Sequence, residues 1–304
     1  MRISSLYNSN AMLAQLGANG ARITQLMEQM STQKRVNVPS DDPVAASRLV
    51  QLNREQSAIS QYQDNITRLS GTLSVQEANV DAVSEQLLAI NDKLLAANNS
   101  THSQKDMSAF GAELSSMLDS IVASMNSKNE NGSYIFSGTN TSTEPVQKDA
   151  QGNYIYAGND NSRETVVANG VSITENTHLA SSFSASGNDL DVLNKLKEMS
   201  EKMQDPNANF ADYQGEISSL IDQVQGSRDN VAEIYTDLGG RQNRLTLLDN
   251  AHADVSMAND QVVQELENTD WATTSMNLQL YVNSVQITNK SYSMISQLNL
   301  FSML

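Results

Sequence analysis

Asp41 and Asp42 are adjacent carboxylates, the kind of pair general acid–base catalysis uses, and they stand between Pro39 and Pro43. The same residues have a second use. Asp followed by Pro is how a helix starts, because the carboxylate accepts from first-turn amides and proline occupies the first helical position, where no N–H is needed. Capping is the expected role. His102, His178 and His252 are far apart, and none has a partner at metal-ligand spacing, so no metal site is expected. Within 131–187, Asp160 and Glu164 are the one carboxylate pair at suggestive spacing. Absence of cysteine removes disulfides, thiolate catalysis, iron–sulfur clusters and thiolate zinc sites together. No glycine loop ending in Lys-Ser/Thr, no Gly-x-Ser-x-Gly elbow and no His-Glu-x-x-His occurs. No catalytic residue and no cofactor is expected.

Charge excludes a further class. Over 304 residues, 19 Lys and Arg face 35 Asp and Glu, a net charge of −16, which opposes nucleic-acid binding because phosphate recognition needs clustered cations. No window approaches the ~18 continuous apolar residues of a membrane span. The opening Met1-Arg2-Ile3-Ser4-Ser5-Leu6 is not followed by the apolar run of a secretory leader, so any export is expected to use no cleaved leader.

The dominant pattern is a heptad series: Leu52, Ile59, Ile66, Leu73, Val80, Leu87 and Leu94, with Tyr62, Leu69, Val83 and Ile90 three residues on, interrupted by Glu55 and Gln76. A second series carries Ile217, Val224, Val231, Leu238 and Leu245 in one row and Leu220, Ile234, Leu248, Val255 and Val262 in the other, with His252 on a seam position. Both predict coiled-coil helices. A helix over 52–94 would run ~60 Å, so an elongated antiparallel rod is expected. Shorter helical patterns lie at Met107–Met125 and Leu190–Met203, and the methionines at helical spacings are adaptable core filler. Between them, 131–138, 152–158 and 165–173 read as short strands bounded by Gly and Asn, with Asn169-Gly170 as a type I′ turn. The class is therefore mainly α with a β-rich insert and with the termini adjacent. The expected division is terminal helices at 1–42 with 268–304, a helical rod at 43–130 with 188–267, and an outer domain at 131–187. Pro39 and Pro43 are expected to end the first helix. Gly239-Gly240 is expected to loosen the returning helix. Arg241 and Arg244 are expected on a solvated face.

The ends of the chain differ from its acidic middle. From Ile3 to Gln33 the only charges are Arg22 and Glu28, and from Trp271 to Leu304 the only one is Lys290. Leu6, Leu13 and Met27 form one N-terminal row and Leu16, Ile23 and Met30 another. The C-terminal segment has two opposite apolar stripes: Leu278, Tyr281, Val282, Val285 and Tyr292 on one side, Leu280, Ile287, Met294, Leu298 and Phe301 on the other. A helix apolar on opposite faces needs two partners, and the N-terminal helix supplies one. Neighbouring copies or other subunits are expected to supply the second.

Met1-Arg2-Ile3-Ser4, Met30-Ser31-Thr32-Gln33-Lys34-Arg35-Val36-Asn37 and Pro39-Ser40-Asp41-Asp42-Pro43-Val44-Ala45-Ala46-Ser47 resemble the N-terminal signature of the bacterial flagellin-like proteins. The Arg-Ile-Ser opening and the Pro-Ser-Asp-Asp-Pro turn are similar to the hook–filament junction branch of that family rather than to flagellin. Asn131–Thr139 resembles the family's entry into its outer domain, and Leu238-Gly239-Gly240-Arg241-Gln242-Asn243-Arg244-Leu245 its C-terminal motif. The stretch from Gln147 to Gly187 matches nothing recognisable. The resemblance implies a secreted subunit of the extracellular flagellum, exported unfolded by the type III pathway with a chaperone on a terminal segment. It implies assembly at the hook–filament junction between hook-associated protein 1 and flagellin, with tails that order on assembly. Gln33 departs from the family, which often has Gly there. A flagellin filament subunit, and a surface glycan-binding protein or enzyme acting through the insert, are the alternatives.

Overall fold

The computed structural model describes the backbone of residues 2–98, 103–184 and 190–301, and their side chains except those of residues 2–6, 8 and 295–301. Its helices are α1 (Arg2–Thr32), α2 (Pro43–Ala97), α3 (Gln104–Met125), α4 (Asp191–Gln204), α5 (Phe210–Glu267) and α6 (Trp271–Phe301); its strands are β1 (Val146–Lys148), β2 (Tyr154–Tyr156), β3 (Glu164–Ala168) and β4 (Val171–Thr174). Two compact units divide them: Met1–Ile59 with Ala253–Leu304, and Ser60–His252. The chain is a mainly helical protein with a small β insert, as the two sequence periodicities require.

In the Ser60–His252 unit, α2 and α5 lie antiparallel: Gln63 Nε2 donates to Asp249 Oδ1 at 3.4 Å near one end and Asn98 Nδ2 to Ser218 Oγ at 3.3 Å near the other. The seam positions Ile66, Leu73, Val80, Leu87, Leu94, Ile217, Val224, Val231, Leu238 and Leu245 are all buried, in one core with Leu114, Ile121, Leu193 and Met203 of α3 and α4. Burial of such side chains is the main force holding the helices together. α3 starts on a capping box, Ser103 with Asp106. It meets α4 at close range, with Ser200 Oγ donating to Gly111 O at 2.9 Å. α5 continues unbroken through Gly239-Gly240. Neighbouring turns carry the helix past a propensity cost of about 1 kcal/mol per glycine.

The insert is two antiparallel hairpins, β1–β2 and β3–β4. Its exposed backbone is capped by helix side chains. Asn194 of α4 accepts from Tyr154 N at 2.6 Å and donates to Tyr154 O at 2.9 Å, while Asn65 of α2 and His252 of α5 bond Val166 O and Val167 O, each at 2.8 Å. Open strand edges are otherwise sites of unwanted pairing. Gln76, the polar interruption of the α2 seam, is buried and donates to Glu175 O at 2.7 Å. Arg241 donates to Thr174 O and Asn176 O, each at 3.2 Å. Three successive carbonyls are thus held by the two long helices, and Arg241 is not on a solvated face as expected; Arg244 is exposed.

One strand and one turn expectation are corrected. No named strand covers 131–138: Tyr134 N bonds Thr141 O and Ile135 N bonds Ser127 O, so the run is a loop crossing between two others, with Ile135 and Phe136 buried. Gly170 has φ 71, but Asn169 has no positive φ, and the pairing slips one residue between Val166 and Ala168. A type I′ turn needs positive φ at both central residues, so this is a bulged hairpin instead.

In the unit formed by Met1–Ile59 and Ala253–Leu304, α1 and α6 pack side by side. They run antiparallel: Lys34 bridges Asn268 at one level and Asn19 bonds Ser284 at another. Leu52 and Ile59 are buried, Val36, Ala45 and Leu49 form a small core with Val263 and Leu266, and Val255 is exposed rather than in a seam. Among the described residues no helix is long and apolar enough to cross a membrane.

Candidate assembly surface

The elbow between α1 and α2 positions the terminal helices. α1 ends at Thr32, seven residues before Pro39, so the proline pair does not terminate it. Gln33 does, at φ 60, the left-handed conformation that closes helices and that glycine adopts most easily. The chain then crosses the end of α5: Arg35 N donates to Glu267 O at 2.6 Å and Thr269 N to Gln33 O at 3.0 Å. The Arg35 guanidinium donates to Leu266 O at 3.1 Å through Nη2 and to Asp42 Oδ2 at 3.0 Å through Nη1. One cation therefore ties together the segment after α1, the last carbonyls of α5 and the first residue before α2.

The two aspartates complete the elbow. Asp42 Oδ1 accepts from Ala45 N at 3.0 Å, with Pro43 as the first residue of α2, which is the expected cap. That amide, more than the Arg35 guanidinium, holds the Asp42 carboxyl below the usual carboxylate range. Asp41 accepts from Val38 N at 3.1 Å and Asn37 N at 3.0 Å through one oxygen and from Gln25 at 2.8 Å through the other; the Val38 amide is the chief reason that its pKa is also lowered. Their oxygens are committed to structure. Asp270 plays the same part for α6, accepting from Ala272 N at 3.0 Å.

On α1 the inward row is Met12, Leu16, Asn19, Ile23, Leu26 and Met30. Leu13 and Met27 are each 56% exposed, so the inner row is displaced by one residue from part of the expected one. On α6, Leu278, Tyr281, Val282 and Val285 are half-buried on one side, and Leu280 (59%), Ile287 (67%) and Met294 (51%) are exposed on the other. Tyr292 is exposed. The side chains of Leu6, Leu298 and Phe301 lie outside the description. Leu280, Ile287 and Met294 recur at seven-residue intervals along one exposed side of α6.

The histidines are separated. His252 stacks on Tyr62 with ring centroids 5.5 Å apart, besides its bond to Val167 O. His178 lies 3.9 Å from Asp160, Glu164 accepts from Ser172 across the β3–β4 hairpin, and His102 is outside the described residues. Among the described residues no three His, Asp or Glu converge as metal ligands. Arg35 and Asn19 are the residues that the periodicities missed: Arg35 sits in a motif but bonds across more than two hundred residues, and Asn19 is a polar residue in an apolar row.

Residues 3–141 match the family described as the bacterial flagellin N-terminal helical region. Flagellar hook-associated protein 3 of Escherichia coli K12 is 27% identical over 91% of each chain, and that of Salmonella typhimurium LT2 is 26% identical over 100% of this chain and 99% of its own. A solved structure described as a flagellar hook-associated protein, from Vibrio parahaemolyticus, is 36% identical with a TM-score of 0.68, covering 75% of this chain and 100% of that one. The chain belongs to the flagellar hook-associated proteins. In this member of the hook-associated family the N-terminal signature residues are those of the elbow, with Arg35, Asp41 and Asp42 at its centre.

Proposed function

We propose that the chain is a structural subunit of the bacterial flagellum that joins the hook to the filament, packing its terminal helices with neighbouring subunits. The observation that carries this is the two-sided α6, one stripe against α1 and the other, Leu280, Ile287 and Met294, open to solvent. The likeness to hook-associated protein 3 along nearly the whole chain supports the junction position. The partners are then hook-associated protein 1, flagellin and neighbouring copies of itself, after export with a chaperone on a terminal segment. The site is the extracellular hook–filament junction, and the role is structural, not enzymatic.

Each large apolar side chain fully removed from water contributes ~1.5–3 kcal/mol, while ordering a tail costs ~1–2 kcal/mol per residue for backbone alone. Several neighbours must contribute before the tails settle, which makes assembly cooperative and dependent on a template. The three-part division, with terminal helices 1–42 and 268–304, rod 43–130 and 188–267, and outer domain 131–187, is the functional division that goes with this role. Expression in a flagellated strain lacking its own hook–filament junction protein tests it: filaments on the hooks support the junction role, and bare hooks with monomeric flagellin in the medium contradict it. Salting out the purified chain separates the flagellin alternative, which alone predicts long filaments from this protein by itself.

A further inference from the structure

α6 offers two apolar faces and α1 has one groove to receive a face, so something must choose between them. Apolar burial alone does not make the observed choice, because both faces carry large apolar residues mixed with polar ones. The exposed face carries Leu280, Ile287 and Met294 among Gln279, Asn283 and Lys290, and the half-buried side mixes Leu278, Tyr281, Val282 and Val285 with Thr274, Asn277, Ser284 and Thr288.

The polar group that receives it is Asn19, 4% exposed and the only fully buried residue among the described side chains of α1. Its neighbours along the inward row, Leu16 and Ile23, are aliphatic. Its amide is satisfied at both ends: Oδ1 accepts from Gln15 Nε2 and Nδ2 donates to Ser284 Oγ, each at 3.3 Å. We propose that Asn19 is the specificity-determining residue of the terminal helix pair, its bond to Ser284 selecting which face of α6 packs on α1 and thereby leaving the Leu280, Ile287 and Met294 stripe outward. Turning α6 about its axis to bring that stripe inward would break the Asn19–Ser284 bond and set Leu280 and Ile287 against the amide in its place. An orphaned donor of this kind lowers the population of the rotated pairing by roughly tenfold or more. A single buried asparagine fixes the register of coiled coils by the same means. The value of the outward stripe for assembly rests on the function proposed above; the selection of the face does not.

The cysteine-free chain gives a clean test by disulfide trapping. In the antiparallel pair, Ile23 lies one turn from Asn19 and residues 280 and 281 lie one turn from Ser284, at nearly the same height but on different faces of α6. In the isolated full chain, Ile23→Cys with Tyr281→Cys is expected to cross-link about tenfold faster or more than Ile23→Cys with Leu280→Cys, the ratio an orphaned amide imposes. Oxidation traps the pairing even when it forms transiently. Adding Asn19→Leu is expected to bring the two rates within about twofold, because both faces then meet an apolar row. The exchanged pair Asn19→Ser with Ser284→Asn is expected to restore the preference. A preference that persists in Asn19→Leu, or that is absent with Asn19 in place, overturns the proposal. If the preference depends on Asn19 but cells carrying Asn19→Leu still build full filaments, face selection stands and the assembly role of the outward stripe fails.

Discussion

The guanidinium of Arg35 donates to Leu266 O at 3.1 Å, joining the segment that follows α1 to the end of α5 across 231 positions. Replacing Arg35 with alanine strips the Leu266 carbonyl and the Asp42 carboxylate of a charged donor. Hydrogen bonds to charged groups contribute ~1.5–3 kcal/mol, less where water competes. Hydrogen exchange at the amides of position 35 and Asn268 is expected to accelerate by about tenfold, with protection at Leu73 and Val224 unchanged.

Acid should loosen the same elbow. Asp41 and Asp42 both have carboxyl pKa values lowered by backbone amides, those of Val38 and Ala45 first. A lowered pKa in the folded state means stabilisation that is complete above the unfolded carboxylate value of ~3.9 and is lost as pH falls through the lowered one. Amide protection at Asn37, Val38 and Ala45 is therefore expected to hold to about pH 4 and collapse below it, a trend that NMR titration reads directly. Asp42→Asn keeps a capping acceptor and should flatten the Ala45 response alone.

Two glycines should respond oppositely. A Cβ on Gly111 would sit 2.8 Å from Ser200 O, a backbone atom of α4, whereas one on Gly239 would meet nothing within 4 Å. Gly111→Ala should cost ~1–3 kcal/mol through overpacking, and Gly239→Ala should stabilise α5 by ~0.5–1 kcal/mol. Thermal melting of the two variants checks the opposite signs.

The insert should come loose before the helices do. Gln76→Leu leaves Glu175 O without its donor, and Arg241→Ala frees Thr174 O and Asn176 O. A buried polar group left unpaired costs ~1–3 kcal/mol, so exchange within β3 and β4 should rise by about tenfold or more. Helical circular dichroism should stay constant. A fall in helix content would show these bonds to be part of the rod's own stability.

The helices were legible because heptads report a local period: Leu73, Val80 and Leu87 announce their burial within one short window. The insert was only partly so. Tyr134-Ile135-Phe136 has strand composition, but its amides bond Ser127 and Thr141 rather than a parallel run of partners, and composition does not encode partners. Arg241 reads as a surface cation until β4 lies against it, and Gln76 as a defect in a seam until Glu175 O reaches it. At the surface, the two stripes of α6 follow from the 100° helical repeat, whereas the face turned inward depends on a hydrogen bond between residues 265 positions apart.

Whether the outward stripe belongs to other subunits can be measured by charging it. Leu280→Glu with Ile287→Glu, in a flagellated strain carrying this chain as its sole junction protein, is expected to leave secretion and the thermal melt of the purified chain unchanged and to abolish filament growth. Normal filaments on cells bearing both charges would contradict it.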